Sequence, residues 1–272
     1  MSAPRPFSPG SYRYPGEHVI LALTLTLVAV VIAVTAAATV CGSVLFVGLA
    51  VAMAYAGTRS QHSRLIAQAR RVTPQDTPNL WALAQAGAAQ LGPGPVEIYV
   101  APSRALNAYT FGLDSPKIVV IESALLKVLD ADELAFVISH ELGHVRLGHT
   151  WLNSLVGGLS GIPSPAITFG LLQLAFLWWN RACEYSADRA GLLATAKPDK
   201  AVSALVKIAA GGRAQNPADV ARALHSLEAQ GNDLANQLGE ALATHPLMAR
   251  RIAELRKYAA SRGYQRLVKS KA

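Results

Sequence analysis

The order of apolar and polar positions divides the chain into unequal parts. From His18 to Thr58, a run of 41 residues, there is no Asp, Glu, Lys or Arg. One transmembrane helix needs about 20 apolar residues. A single helix over this run would be about 60 Å long, twice the hydrocarbon core. Two apolar helices joined by a turn fit better, and Thr35 to Ser43, with Gly42 among small residues, is the natural turn. A buried helix of a soluble domain seldom runs so far without a polar face. Cleavage of a signal peptide at Ala36-Ala37-Ala38 would leave Val44 to Ala56 as a new apolar start, and the bulky Val40 before Cys41 does not suit a lipoprotein site. Arg5 and Arg13 precede the run; Arg59, Arg64, Arg70 and Arg71 follow it, and the turn has no basic residue. Basic flanks stay on the cytoplasmic side, so both ends of the hairpin and all that follows residue 59 are expected in the cytoplasm.

Beyond the hairpin the periodicity shortens. Residues 60–92 read as largely helical, with Thr77-Pro78 as a helix start and Leu80, Leu83, Ala84 and Leu91 at helical spacing before Gly92. Val96 to Ala101 and Lys117 to Ile121 are short β-rich runs, and Ala105 to Phe111, closed by a turn at Gly112–Ser115, supplies an edge strand. Asp130 with Glu133 has the capping-box pattern, and Leu129 with Leu134 the staple spacing. A helix is therefore predicted from about Ala131 to Gly148. Further helices are predicted near 180–195, 199–210, 217–230 and 247–260, then a frayed basic tail from Arg262 to Ala272. Three short strands among helices make an α+β fold, mainly helical, with a small sheet of about three strands.

Composition changes this picture in two ways. Of 272 residues, 51% are hydrophobic and only 15% charged, against about 25% charged in ordinary soluble domains. Disorder is excluded, and two cysteines cannot staple a disulfide scaffold. With 25 basic and 17 acidic residues, the net charge of +8 suits nucleic acid or an anionic membrane surface. The basic residues are spread along helices and the tail with no aromatic-interleaved cluster, which argues against nucleic acid.

The chemistry lies on the capped helix. In His140-Glu141-Leu142-Gly143-His144 the two histidines stand at i and i+4, one turn apart on one face. Two imidazole nitrogens can then reach one Zn²⁺, while Glu141 leaves the helix beside them, free to act as a base on water. Val137, Ile138 and Leu142 form an apolar backing, so the histidines are sheltered polar groups that need a partner. His149 is off this register and is expected to face solvent or an interface. A catalytic zinc needs a third protein ligand, and Glu184 is the candidate downstream of His144. Asp188 shares its helix face at i+4 and could hydrogen-bond the far nitrogen of a ligand histidine, although Glu-x-x-x-Asp pairs are also common on exposed helices.

The chain resembles the HtpX-like membrane-bound zinc metalloproteases, a family that also includes CaaX prenyl endoproteases. Matching blocks occur in order: Leu106-Asn107-Ala108-Tyr109 with Ile118-Val119-Val120, then the 140–144 motif, Glu184-Tyr185-x-Ala187-Asp188-x-Ala190-Gly191, and His245-Pro246 with Arg251-Ile252-x-x-Leu255. The resemblance implies a zincin-type metallopeptidase domain. It assigns His140, His144 and Glu184 as ligands of one Zn²⁺ per subunit, Glu141 as catalytic base and Asp188 behind a ligand. His245 would stabilise the oxyanion or plug the cleft, or else simply begin the last helix. Asn107 and Ala108 would lie on a strand edge that pairs with an extended substrate. The implied protein is a multi-pass inner-membrane endopeptidase, its catalytic domain facing the cytoplasm, acting on protein or peptide substrates such as misfolded membrane proteins. A membrane-anchored chaperone-like protein with a structural zinc is the alternative, and the intact Glu141 argues against it. The expected organisation is a segment 1–17, the hairpin 18–58, a helical connector 59–94, the peptidase domain 95–262 and a basic tail 263–272. One departure is a second charge-free stretch at 151–180, broken by Gly157-Gly158, Gly161, Pro163 and Pro165. Family members often cross the membrane twice here, but two crossings need about 40 residues. A re-entrant or interfacial element with Phe176 to Trp179 at the headgroups is expected instead, or one that packs on the hairpin or covers an oligomer contact.

Overall fold

In the computed structural model of the protein, which describes residues 6–38, 67–159, 166–231 and 248–271 and isolated helical positions between 45 and 60, the apolar run begins as one helix, α1 (Glu17–Ala38). Its 22 residues span about 33 Å, close to the thickness of a hydrocarbon core, and the helix is long and apolar enough to cross a membrane. Val19, Leu23, Leu25, Leu27, Val30 and Val34 are exposed along it. Thr35 to Ala38, where the turn is expected to begin, are still helical; residues 39–43 and the second arm, apart from those isolated positions, lie outside the described residues.

A small sheet follows, ordered β1-β2-β4-β3. β1 (Arg70–Arg71) pairs antiparallel with β2 (Val96–Ala101), β2 lies parallel to β4 (Lys117–Glu122), and β3 (Ala108–Phe111) pairs antiparallel with β4 as the far edge. Ile118 to Ile121 are fully buried, as expected of a strand covered on both faces. The sheet thus has four strands rather than three. The extra one is two exposed arginines, which carry no alternation to read. Residues 69–77, expected to be largely helical, are not: after β1 the chain turns, and α2 (Pro78–Leu91) ends at Gly92 in the left-handed region.

After a single turn, α3 (Leu125–Val128), comes α4 (Ala131–Leu147), capped as its pattern predicted. The Asp130 carboxylate accepts from the backbone N–H of Asp132 and Glu133 at 3.0 Å, and the Asp130 N–H donates to Glu133 at 2.8 Å. Glu133 also holds the Lys207 ammonium at 2.8 Å, which ties α4 to α7 (Pro198–Ala209). Between them run α5 (His149–Leu159) and α6 (Ala166–Thr195). The apolar stretch at 151–180 is therefore helical over its described residues, and α6 carries straight on to Glu184. Trp178 is half exposed, whereas Leu177 and Trp179 are buried within the protein. Trp179 packs with Ala182 and Cys183 against Ile20 of α1, in line with packing on the hairpin.

α8 (Pro217–Gly231) and α9 (Met248–Ala259) complete the bundle. The basic end is not frayed: α10 (Arg262–Lys269) is capped by the Ser261 hydroxyl, which accepts from the Tyr264 N–H, and Tyr264 is buried beside Tyr258. One cap and one apolar anchor suffice to order it. The segment before α1 is also part of the core, since Phe7 and Tyr12 are buried with the residues of α2 and α4.

The crossing of α4 and α6 has almost no spare room. A Cβ at Gly143 would stand 2.6 Å from the Ala190 Cβ, and one at Gly191 would stand 2.9 Å from the Phe136 carbonyl oxygen. Gly143→Ala is therefore expected to push the helices apart and cost about 1–3 kcal/mol, seen as a lower Tm. Gly263→Ala, whose new methyl meets nothing closer than 3.9 Å, is the control and should leave Tm unchanged or raise it slightly.

Candidate metal centre

The crossing brings α4 and α6 side chains to one point. His140 and His144 project from α4 one turn apart, their Nε2 atoms 3.2 Å from each other. From α6, Glu184 Oε1 stands 3.5 Å from the His144 Nε2, and Oε2 stands 3.7 Å from the His140 Nε2. Donors held tetrahedrally at about 2.0–2.1 Å from a metal lie about 3.3–3.4 Å apart, so the three side chains have the spacing of a ligand set. Among the described residues, this is the group of His, Cys, Asp and Glu able to hold an ion. The donor chemistry fits as well. His140 Nδ1 lies 3.0 Å from Asp188 Oδ1, at ion-pair distance but off the angle of a formed hydrogen bond; the carboxylate favours the ring proton on that side, with the Nε2 lone pair towards the shared point. Glu141 is 95% buried with its carboxylate 3.9 Å from the His140 Nε2, adjacent to the three donors.

Charge at the site is balanced by one residue that the sequence pattern did not single out for this purpose. Arg251, on α9, donates from Nε and Nη2 to the two oxygens of Asp188 at 2.8 and 2.7 Å, and its Nη1 lies 2.9 Å from Glu184 Oε2. Burial works against the Glu184 anion, but Arg251 foremost and then the two histidines outweigh it and hold its carboxyl well below the usual range. Asp188 is lowered in the same way, with Arg251 and His140 overcoming burial. Burial also opposes a charged His140 ring, yet the Asp188 carboxylate more than compensates and raises its pKa. For Glu141 burial wins over the neighbouring histidines and Arg251, so its carboxyl is pushed up, the direction that makes it a stronger base.

His149 is the clear correction. It is 2% exposed, not solvent-facing. The register of α4 does not extend to it, because Gly148 ends that helix in the left-handed region and α5 starts afresh. Its Nδ1 lies 3.0 Å from His144 Nδ1, and its Nε2 lies 3.1 Å from Glu17 Oε1. Burial pulls its pKa down to about 4 despite the Glu17 carboxylate. Neither His149 nor Glu17 was legible as part of the site, although a charged residue directly before a 41-residue apolar run was the available signal. Of the remaining candidates, Asn107 is exposed immediately before β3, and Ala108, half-buried, begins that edge strand. His245 lies outside the described residues.

A family model described as peptidase family M48 matches residues 80–259. The plastoglobule-localized metallopeptidase 48, chloroplastic, of Arabidopsis thaliana is 35% identical over 125 residues, which cover 42% of this chain and 35% of that protein. The protease HtpX homolog of Pyrococcus furiosus is 28% identical over 235 residues, 72% of this chain and 78% of its own length. That of Bifidobacterium longum is 28% identical over 180 residues, 53% and 58% respectively. The chain thus spans about a third of the Arabidopsis relative and a larger share of the others.

Removing Arg251 tests the charge balance. Arg251→Ala leaves two buried carboxylates uncompensated, with an expected loss of about 3–5 kcal/mol, whereas Arg251→Lys should lose less. The depressed Glu184 pKa means that its anion persists as pH falls and disappears only when the folded-state pKa is crossed. Without Arg251 that pKa rises, so acid titration of metal content should release the ion at a higher pH than in the wild type. An unchanged release profile would show that Arg251 does not set the ionisation of Glu184.

Proposed function

The chain belongs to peptidase family M48, and we propose that it is a membrane-anchored zinc-dependent endopeptidase. The observation that carries this reading is the convergence of His140, His144 and Glu184 at ligand spacing beside a buried Glu141. His140, His144 and Glu184 hold the ion, and Glu141 is the catalytic base. Two imidazoles and one carboxylate with an open fourth position form the donor set of hydrolytic zinc sites. Bound there, zinc supplies a Lewis acid for the scissile carbonyl and acidifies water.

The protein's own groups do the rest. Glu141, its carboxyl pushed up by burial, accepts the proton of the attacking water and passes it to the leaving amine. Asp188 fixes the His140 ring through Nδ1, and Arg251 keeps both Asp188 and Glu184 ionised. Among the described residues β3 has one strand neighbour, β4, so its outer edge, beginning at Ala108 beside Asn107, can align an extended peptide by strand addition. α1 anchors the domain, and the arginines on either side of the apolar run favour a multi-pass arrangement in the inner membrane with the peptidase domain, residues 95–262, on the cytoplasmic side. Substrates are proteins or peptides, and a site tied to a membrane helix suits the clearance of misfolded membrane proteins.

Two substitutions separate the roles. Glu141→Gln should retain one equivalent of zinc while peptide hydrolysis falls about 10²–10⁴-fold, the range of a lost general base; undiminished hydrolysis removes Glu141 from the mechanism. Glu184→Ala should instead lose the metal, measured as zinc per chain after dialysis, and chelation of the wild type should abolish activity reversibly.

A further inference from the structure

Resting on the ligand assignment just proposed, we infer that Glu17, the first residue of the apolar anchor helix, is a positioning residue for the metal ligand His144, acting through His149. The positioning residue and its intermediary are both sealed from solvent: Glu17 and His149 are each 2% exposed. The Glu17 carboxylate is surrounded by donors. Arg13 pairs with Oε1, the Ser186 hydroxyl donates to Oε2, and Ser186 itself accepts from the Tyr14 N–H at 2.7 Å. With Arg13 beside it the carboxylate is ionised and can only accept.

The rest follows from counting protons along the contacts. His149 Nε2, 3.1 Å from Glu17 Oε1, must donate to it. A neutral imidazole has one N–H, so the His149 Nδ1 carries a lone pair. That atom is 3.0 Å from the His144 Nδ1, which must therefore be the donor of the pair. The His144 proton is thereby committed to Nδ1, and its Nε2 presents a bare lone pair to the point shared with His140 and Glu184. The His149 ring is held edge-on by Trp179, whose own neighbour is Ile20 of α1. Each ligand histidine is thus backed by a carboxylate that an arginine clamps: His140 directly by Asp188 with Arg251, and His144 at one remove by Glu17 with Arg13. Partners of this kind fix the tautomer and orientation of a ligand, and their loss typically weakens metal binding by about 10–100-fold.

The test is Co²⁺ titration of the full-length, detergent-purified, metal-free protein, read by its visible absorption bands and by competition with Zn²⁺. Glu17→Ala and His149→Phe should each weaken binding by about 10–100-fold. The double variant should be no weaker than His149→Phe alone, since Glu17 acts only through that ring. Glu17→Gln, whose amide oxygen can still accept from His149, should recover most of the affinity. Metal-free melting temperatures on the same samples separate loss of fold from loss of ligand alignment. Affinity of Glu17→Ala within twofold of wild type, or losses that add in the double variant, overturns the proposal. Should Glu17→Ala not fold, His149→Phe decides, and affinity within twofold of wild type overturns it likewise. His144→Ala is the control for the site: if the wild type binds Co²⁺ no better than it does, the ligand assignment falls and the positioning role with it.

Discussion

The structure is organised around one steric and electrostatic constraint: donors from two helices must meet within about 3.5 Å inside the protein. Side chains as short as Glu and His can meet so closely only if the backbones nearly touch, and Gly143 and Gly191 supply the missing volume on either side of the crossing. Once the helices are that close, the flanking positions are settled. Ala187 and Ala190 lie against Gly143 of α4, Asp188 reaches the far side of His140, and Leu142 and Ile138 lie in the core behind the site. The capping box of α4 then has a second purpose. Glu133 pairs with Lys207 as well as with the helix start, so the helix bearing both histidines is fixed at its first turn as well as at the crossing.

Bringing donors together also concentrates negative charge. Glu17, Glu133, Glu141, Glu184 and Asp188 are all buried or nearly so, and unpaired ions in such surroundings are costly. Each of three clusters has its own cation: Arg251 for Glu184 and Asp188, Lys207 for Glu133, and Arg13 for Glu17. Among the described residues Glu141 makes no such ion pair, although Arg251 is near enough to oppose the shift, and its carboxyl is the one that burial pushes up. On the proposed function, the arrangement separates carboxylates kept ionised to hold or orient from the one whose task would be to accept a proton.

What could be read from the chain follows the range of the interaction concerned. The histidines, Glu141, the cap at Asp130 and the Glu184–Asp188 pair are all set by spacings of three to four residues, and helical periodicity exposes such pairs. The partners that make the site work come from much farther away. Arg251 meets Asp188 across 63 positions and His149 meets Glu17 across 132, and no local pattern encodes those meetings. His149 misled for a specific reason: Gly148 breaks the helical phase, so counting turns from His144 past the break points the ring the wrong way. The end of the chain misled in the opposite sense, because its many basic residues hide the one buried Tyr264 that orders it. β1 was silent, since two exposed arginines carry no apolar pattern, and the β2 residue that Arg71 meets, Glu97, stands 26 positions away.

The route from Glu17 to His144 changes what the apolar helix is for. An anchor that only tethered the domain would need no polar contact with it, and a linker would serve between them. Here the last charged residue before the apolar run is buried against His149 and Ser186, and the first turn of α1 packs through Ile20 on Trp179 and Cys183 of the helix that carries Glu184. With α1 in the bilayer, the metal centre is held at the level where the span begins, not at a variable distance above it. The two arms of the ligand set then rest on different supports. His140 is backed by α6 and α9, whereas His144, through the positioning role inferred above, is backed by the first turn of α1.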